Sequence, residues 1–499
     1  MEVVGKRITK HWLALFAIVL IGLFLRLYHV GTQSIWLDEA YSIVLSKMSL
    51  SQIMQATGAD VHPPLYYFIL HYWVALFGTS GVAVRLLSVL FGVLTIPMVY
   101  LVGRQLFNKE AGLVGALILA LSWFNIFYSQ EARMYSLMVL LALISVYFFL
   151  RLLHRSTLAS SAGYVLSTTL LLYTHYYGVF VLFAENIYLI TLLVLSKHRT
   201  YKLRHWVVLQ AIVLALFVPW ITVLSGQFLR RDAAGTWLAQ PTTATIINTF
   251  LSYSGGTVLL ALFLGLSVLS LFAYQKVRGA MDWKAPLKSL ESYLWEVRLH
   301  DLAPAYFLVV LLLATNLIPF IVSVFRAPIY LDKYAIASSV ALYLLVAKGI
   351  SNINYRYAKI AVVGIIVVLS VANLPWYYTS IIKPQAQEAT SFIDANAKSG
   401  DVVLIYPDWE ALTFNYYNNR TDVAVKQIYY GNGSVNNPEA TKEALQSDVN
   451  GHDRVWFYGA TGLGTSMENF TLNSLNESYA KIYVKSYVGY NMYLYEKRA

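Results

Sequence analysis

The sequence predicts a polytopic membrane protein of the all-α class that carries a small α/β domain at its C-terminal end. Of its 499 residues, 58% are hydrophobic and 13% are charged, whereas a soluble globular protein carries about 25% charged residues. The mean hydropathy is +0.56, and apolar runs recur along the chain as far as Trp376. Soluble and disordered classes are therefore excluded.

Apolar runs of about 17–23 residues, the length that a helix needs to cross roughly 30 Å of hydrocarbon, predict about eleven transmembrane helices. The first run follows Lys6, Arg7 and Lys10 as a signal peptide would, but it is long enough to span and lacks a small-residue cleavage site. We interpret it as an uncleaved first helix. The runs lie near residues 11–28, 82–103, 112–128, 134–150, 162–177, 178–196, 206–224, 257–274, 303–322, 334–347 and 360–376.

The shorter run 64–78 decides the topology. Its length favours a re-entrant or interfacial helix over a crossing. If it does not cross, the basic loops share one side, which the positive-inside rule makes cytoplasmic. The net charge of +11 then mostly sets topology, which argues against a nucleic-acid partner. We expect a multi-pass protein of the plasma membrane with a cytoplasmic N-terminus.

Past Trp376 the chain turns polar and rich in Asn, Gly and Tyr. A helix-like stretch, 386–397, precedes separated strand-like runs, as in a small α/β domain. The runs are 401–406, 454–458, 481–487 and 492–495. We expect a transmembrane catalytic domain over 1–380, with an outer loop at about 29–81, and an extracytoplasmic α/β domain over 381–499.

Ionisable side chains near membrane helices are costly to bury and are therefore functional candidates. On the predicted topology, the unusual ones share the outer face, which indicates an active site on that side of the membrane. They are Asp38, Glu39, Asp60, His62, Glu131, Arg133, His175, Arg230, Arg231, Asp232, Arg326 and Lys333.

Each candidate keeps a structural alternative. Asp38 and Glu39 could supply a general base for an acceptor hydroxyl, or be surface acids on an interfacial helix. His62 precedes two prolines and could bind a substrate hydroxyl or cap the turn. Glu131 and Arg133 could pair with each other, or Arg133 could hold a phosphate with its guanidinium fork.

The remaining candidates lie at outer helix ends. His175 and Tyr176 could belong to an interfacial aromatic belt or to the site. Arg326 and Lys333 could hold a lipid phosphate or merely extend to the interface. Arg230 and Arg231 could also hold that phosphate.

The sequence lacks a Walker loop, a Gly-rich dinucleotide loop, an HExxH zinc motif and a G-x-S-x-G elbow, and it has no cysteine. An outward-facing transferase meets no nucleotide sugars in its compartment. It must take an activated donor from the membrane, and a polyprenyl phosphate sugar would serve. The single phosphate of that donor would need the cations named above.

Together the motifs resemble the GT-C glycosyltransferases of the family 39 type, a group that includes protein O-mannosyltransferases and the lipid A aminoarabinose transferase. The resemblance covers about residues 11–350 and is specific because the motifs occur in order and at these spacings. The motifs are Leu25-Arg26-Leu27, Trp36-Leu-Asp38-Glu39, His62-Pro63-Pro64-Leu65-Tyr66-Tyr67, Arg85-Leu86-Leu87-Ser88, Tyr128-Ser-Gln-Glu131-Ala-Arg133-Met-Tyr135 and Tyr173-Thr-His175-Tyr176-Tyr177-Gly178.

The resemblance implies an inverting transfer of a sugar from a polyprenyl monophosphate, such as a dolichyl phosphate, to an acceptor hydroxyl. The Asp38-Glu39 pair would hold the catalytic base, with Asp38 the first choice, and Glu131 would be the second acid. Arg133 would act at the phosphate or the acceptor. Tyr135 belongs to the same motif and is expected to contact substrate.

The chain departs from the resemblance at one position. Relatives often have Arg-Tyr where this chain has Lys333-Tyr334, and a lysine lacks the bidentate geometry of arginine.

No cofactor is expected to be required, and the missing Asp-x-Asp motif argues against an obligatory metal without settling whether a divalent metal binds. The sugar and the acceptor, whether protein, glycolipid or glycan, stay open. Two alternatives remain: a transporter or lipid flippase, and a non-enzymatic scaffold or polymer-assembly subunit with the same fold.

Overall fold

The computed structural model describes residues 2–195, 203–234, 238–271, 299–428, 438–462 and 466–498. The described chain divides into two compact units, each discontinuous in sequence. The membrane unit comprises Met1–Tyr28, Ser49–Trp73 and Arg85–Trp376, and the second unit comprises His29–Met48, Val74–Val84 and Tyr377–Ala499. The predicted boundary at residues 380/381 stays a prediction.

The described helices are α1 (Glu2–Leu27), α2 (Leu37–Ser46), α3 (Leu50–Ala59), α4 (Leu65–Phe77), α5 (Gly81–Leu106), α6 (Lys109–Leu121), α7 (Trp123–Ser129), α8 (Tyr135–His154), α9 (Leu158–Thr174), α10 (Gly178–Leu195), α11 (Leu203–Ala234), α12 (Thr243–Ser254), α13 (Thr257–Ser270), α14 (Leu299–Phe325), α15 (Ala337–Asn352), α16 (Arg356–Thr379), α17 (Ala386–Asn396), α18 (Ala411–Tyr417), α19 (Pro438–Val449) and α20 (Ser466–Ser478). The strands are β1 (Val402–Tyr406), β2 (Ala424–Gln427), β3 (Arg454–Ala460), β4 (Tyr479–Tyr487) and β5 (Tyr490–Lys497).

Within the described residues, six helices have the length and hydropathy to cross a membrane, namely α1, α5, α8, α11, α14 and α16. The bent pairs α6/α7 and α12/α13 raise the number to eight if each pair is one span. The predicted polytopic helical class is thus confirmed. The other three predicted crossings fall on α9, α10 and α15, which do not pass this test, so the number eleven stays a prediction. The ambiguous run 64–78 forms α4, a short apolar helix of 13 residues.

The bend of 63° between α6 and α7 sets the course of the loop that follows α7. The bend lies where the helical hydrogen bonds of α6 end, and there the buried Arg26 donates to two carbonyls, Leu119 O and Ala120 O, each at 3.3 Å. Gln130, at the end of α7, in turn donates to the carbonyls of Arg26 and Tyr28. These bonds fix the start of the 130–134 loop against the end of α1.

The second unit contains a five-stranded sheet of order β2-β1-β3-β5-β4. β1 is parallel to β2 and β3, and β5 is antiparallel to β3 and β4. All five residues of β1 are buried, as in a parallel strand covered on both faces. One face packs against α17 and α18, the other against α19 and α20. The predicted α/β domain is confirmed, although the sequence did not reveal the short, partly exposed edge strand β2.

Candidate functional site

A buried arginine lies at the centre of a polar cluster in the membrane unit. Arg133, in the loop between α7 and α8, is 2% exposed. Its Nη1 donates to Tyr67 Oη at 3.0 Å, and its Nη2 lies 3.3 Å from His62 Nε2. His62 Nδ1 lies 2.9 Å from Asp60 Oδ2. We call Asp60, His62, Tyr67 and Arg133 the Arg133 cluster.

The hydrogen bonds of this cluster have a defined direction. A guanidinium group can only donate, so His62 Nε2 accepts from Arg133, and His62 Nδ1–H therefore donates to Asp60. Burial alone would raise the pKa of the Asp60 carboxyl, but the hydrogen bond from His62 and the nearby positive charge of Arg133 help to outweigh burial, and that pKa lies below its usual value. The His62 ring thus connects a carboxylate to the arginine and fixes the orientation of the guanidinium.

Aromatic rings extend the Arg133 cluster toward a second cation. The ring of His175, which is 5% exposed, lies 6.4 Å from the His62 ring and 4.9 Å from the Tyr334 ring. Lys333 Nζ lies 5.6 Å from the centroid of the Tyr135 ring, within cation–π distance. The structure therefore brings His62, Arg133, Tyr135, His175 and Lys333 together from four separate segments of the chain.

Tyr176 is held by other side chains. Its hydroxyl donates to Gln227 Oε1 at 2.6 Å and accepts from Trp220 Nε1 at 2.8 Å. Gln227 also donates to the carbonyl of Thr57, near the end of α3. Gln227 therefore links α11 both to Tyr176 and to the helix that leads to Asp60.

The other predicted residues of the membrane unit are not members of the Arg133 cluster. Glu131 is wholly buried, and its carbonyl accepts from the backbone N–H of Arg133. Arg326 is exposed, directly after α14. The side chains of Arg230 and Arg231, in α11, lie outside what the structure describes.

Asp332 was not singled out from the sequence. Burial raises the pKa of its carboxyl, which accepts from the Lys333 N–H at 2.7 Å.

The acidic pair of the second unit lies in the first turn of α2, and its two members differ. Glu39 is fully buried, and its Oε2 lies 3.0 Å from Nζ of Lys383, which is 5% exposed. Asp38 is partly exposed. Lys383 follows the last membrane helix, and its pairing with Glu39 was not predicted from the sequence.

Hydrogen bonds join the same two segments of the second unit. Gln33 Oε1 accepts from the backbone N–H groups of Ile382 and Lys383, and its Nε2 donates to the carbonyl of Ser380. Ser34 Oγ donates to Glu388 Oε2 at 2.8 Å. We call Gln33, Ser34, Glu39 and Lys383 the Lys383 clasp. In the described part of the chain, no group of three or more His, Asp and Glu side chains is arranged to hold a metal ion.

Residues 61–222 match the family model described as dolichyl-phosphate-mannose-protein mannosyltransferase. The chain is also similar to the crystal structure of ArnT from Cupriavidus metallidurans in the apo state, with a TM-score of 0.61 and 12% identity over 97% of this chain and 98% of that one. The chain has the GT-C glycosyltransferase fold. The match and the fold together confirm the predicted class, a multi-pass membrane glycosyltransferase.

Two further structures share this GT-C fold. ArnT from Cupriavidus metallidurans bound to undecaprenyl phosphate has a TM-score of 0.60 and 12% identity, covering 96% of this chain and 97% of that one. The oligosaccharyltransferase AglB from Archaeoglobus fulgidus, in complex with an inhibitory peptide and a dolichol-phosphate, has a TM-score of 0.52 and 14% identity, covering 97% of this chain and 74% of that one. No curated protein sequence matches the chain.

Proposed function

We propose that the chain transfers a sugar from a polyprenyl monophosphate carrier to an acceptor hydroxyl at the outer face of the plasma membrane, with inversion at the anomeric carbon. The observation that carries this proposal is the Arg133 cluster, of which His62, Tyr67 and Arg133 lie inside the segment that matches the mannosyltransferase model. The related ArnT and AglB structures contain undecaprenyl phosphate and dolichol-phosphate, which supports a donor of this class.

The Arg133 cluster is suited to hold the donor phosphate. Arg133 is buried and oriented by His62 and Tyr67, and Lys333 lies over a neighbouring aromatic ring. Hydrogen bonds from a guanidinium to a phosphate strengthen where water is excluded. The leaving polyprenyl phosphate is an anion, so cations aimed at it stabilise the charge that develops in the transition state. A general acid is not needed for that step.

Asp38 is the proposed base. Glu39 is fully buried, and its carboxylate is paired with Lys383, so we assign it a structural role. Asp38, in the same helical turn, is partly exposed. Asp38 accepts the proton of the acceptor hydroxyl as the oxygen attacks the anomeric carbon. The bond from that carbon to the phosphate oxygen breaks, and its electron pair leaves with the polyprenyl phosphate. Glu131 is the second proposed acid of the site.

The test is sugar transfer by the purified protein with a panel of radiolabelled polyprenyl-phosphate sugars. Asp38→Asn is expected to lower donor turnover by roughly 10²–10⁴-fold, the usual contribution of a general base. Asp408→Asn is the matched control, because Asp408 is also a partly exposed acid in the first turn of a short helix of the second unit. It is expected to keep wild-type turnover.

Two outcomes would contradict the proposal. Full turnover by the double variant Asp38→Asn, Glu39→Gln would show that neither acid takes part in the reaction. Movement of the labelled lipid across a vesicle membrane without loss of its sugar would favour the flippase alternative.

A further inference from the structure

The ion pair between Glu39 and Lys383 joins residues 344 positions apart in the chain. Their side chains are 0% and 5% exposed. A charge buried at this level is costly unless it is paired, and the loss of one partner leaves the other uncompensated. Each residue therefore depends on the other to occupy its place.

The rest of the Lys383 clasp fixes the backbone on both sides of this pair. Gln33 bonds to three consecutive peptide groups that end at Lys383, at 2.8 to 3.2 Å. Ser34 Oγ also accepts from the N–H of Gln387 at 3.3 Å. The N–H of Ile35 donates to Tyr417 Oη at 2.6 Å. Three successive residues ahead of α2 are thus bonded to the chain that follows the last membrane helix.

Helix α2 depends on these contacts. It has ten residues, and the side chain of its N-cap residue, Trp36, makes no capping hydrogen bond. A helix of this length is marginal on its own and takes its stability from tertiary packing. Asp38 lies in its first turn, beside Glu39, so the orientation of Asp38 is set by what holds Glu39 and the residues before it.

We propose that Lys383 is a positioning residue for the reaction, acting through Glu39 and the start of α2 on the carboxylate of Asp38. The segment after the last membrane helix is then part of the catalytic apparatus. This inference rests on the proposed function. A displacement of about 1 Å at a reacting group can lower a rate by roughly 10²-fold.

The test compares donor turnover, the KM for a radiolabelled polyprenyl-phosphate sugar and amide hydrogen exchange of α2 in variants of the full-length protein. Lys383→Met is expected to lower kcat by roughly 10–10²-fold. The donor KM is expected to stay within about twofold, because the Arg133 cluster shares no residue with the clasp. Exchange of the α2 amides should accelerate. Lys359→Met is the matched control, since Lys359 also pairs with a glutamate, Glu110, at 2.9 Å, but at an exposed site.

Rescue separates positioning from a general loss of folding. Lys383→Arg keeps a cation and is expected to retain most of the turnover. The double variant Glu39→Gln, Lys383→Met leaves no uncompensated buried charge, and is expected to recover at least about tenfold in kcat over Lys383→Met and to restore slow exchange in α2. If Lys383→Met does not fold, these two variants carry the test.

The outcomes that overturn the inference are distinct from failure of the proposed function. Wild-type kcat and wild-type α2 exchange in Lys383→Met would remove the positioning role. If the double variant Glu39→Gln, Lys383→Met folds but is as inactive as Asp38→Asn, Glu39 itself is the base, and this result also overturns the inference. A wild type that releases no sugar from any donor would contradict the proposed function, and the exchange data would then decide whether Lys383 orders α2.

Discussion

The Arg133 cluster and the Lys383 clasp both combine a cation with hydrogen-bonded polar groups, but they differ in access to solvent. In the clasp, the side chains of Lys383 and Glu39 are 5% and 0% exposed. In the cluster, His62 and Asp60 are 12% and 33% exposed, next to a deeply buried Arg133. An ion pair that solvent does not reach can only stabilise the structure, whereas a polar cluster with partly exposed side chains can bind a ligand. The exposed fraction of the partner side chains therefore distinguishes Arg133 from Lys383, whereas the charge of the two residues is the same.

The largest effect within the cluster is expected at Arg133. Arg133→Ala should lower donor turnover by roughly 10²–10³-fold, the cost of removing one oriented donor to developing negative charge. Arg133→Lys should recover part of this loss, because it keeps the charge without the bidentate fork. The measurement is sugar release from the labelled donor.

Arg151→Ala is the matched control for this change. Arg151 lies in the last turn of α8 and also donates to a tyrosine, Tyr147, at 3.2 Å, but it is exposed. Equal losses in Arg133→Ala and Arg151→Ala would mean that the burial and position of Arg133 do not matter for turnover, which would contradict its proposed role.

A smaller effect is expected at His62. His62→Ala removes the link between Asp60 and Arg133 and should lower turnover by roughly tenfold, since a misdirected donor loses part of its effect. His62→Gln should retain more activity, because an amide can donate to Asp60 and accept from Arg133 at the same time. If both variants were equally impaired, His62 would contact substrate directly instead of orienting Arg133.

The smallest effect is a pH dependence of stability at Asp60. The pKa of this carboxyl is lowered in the folded protein, so its ionised form stabilises the fold above its unfolded pKa, about 3.9, and that contribution is lost as the pH falls through the folded value. Asp60→Asn should therefore cost stability near pH 6 and less as the pH approaches 3. Thermal unfolding of both proteins across this range measures the difference, which partial exposure keeps small. Parallel curves would contradict the assignment.

The sequence predicted the helical membrane class because the length and hydropathy of apolar runs report burial in lipid directly. It also selected His62, Arg133, His175 and Lys333, which the structure brings close together, because each is a costly polar residue at a helix end. The catalytic and binding roles of these residues stay predictions.

Lys383 could not be found in this way. A lysine just past a membrane helix normally extends to the interface, and nothing local signals a glutamate 344 positions earlier. The edge strand β2 was missed because two of its four residues are only partly buried, the other two are exposed, and the strand lacks an apolar run. Long-range pairs and weakly patterned edges depend on tertiary structure, which a single sequence does not display.

The second unit is assembled from two early segments, which follow α1, and from the chain after α16, and this order has a consequence for biosynthesis. Glu39 is made early, while Lys383 follows 344 residues later. At about 5–20 residues per second, the glutamate waits roughly 20–70 s for its partner. During that interval α2 has neither its ion pair nor the chain that supplies its hydrogen bonds. The nascent protein can therefore form these contacts, and order the helix that carries Asp38, only after α16 has been synthesised.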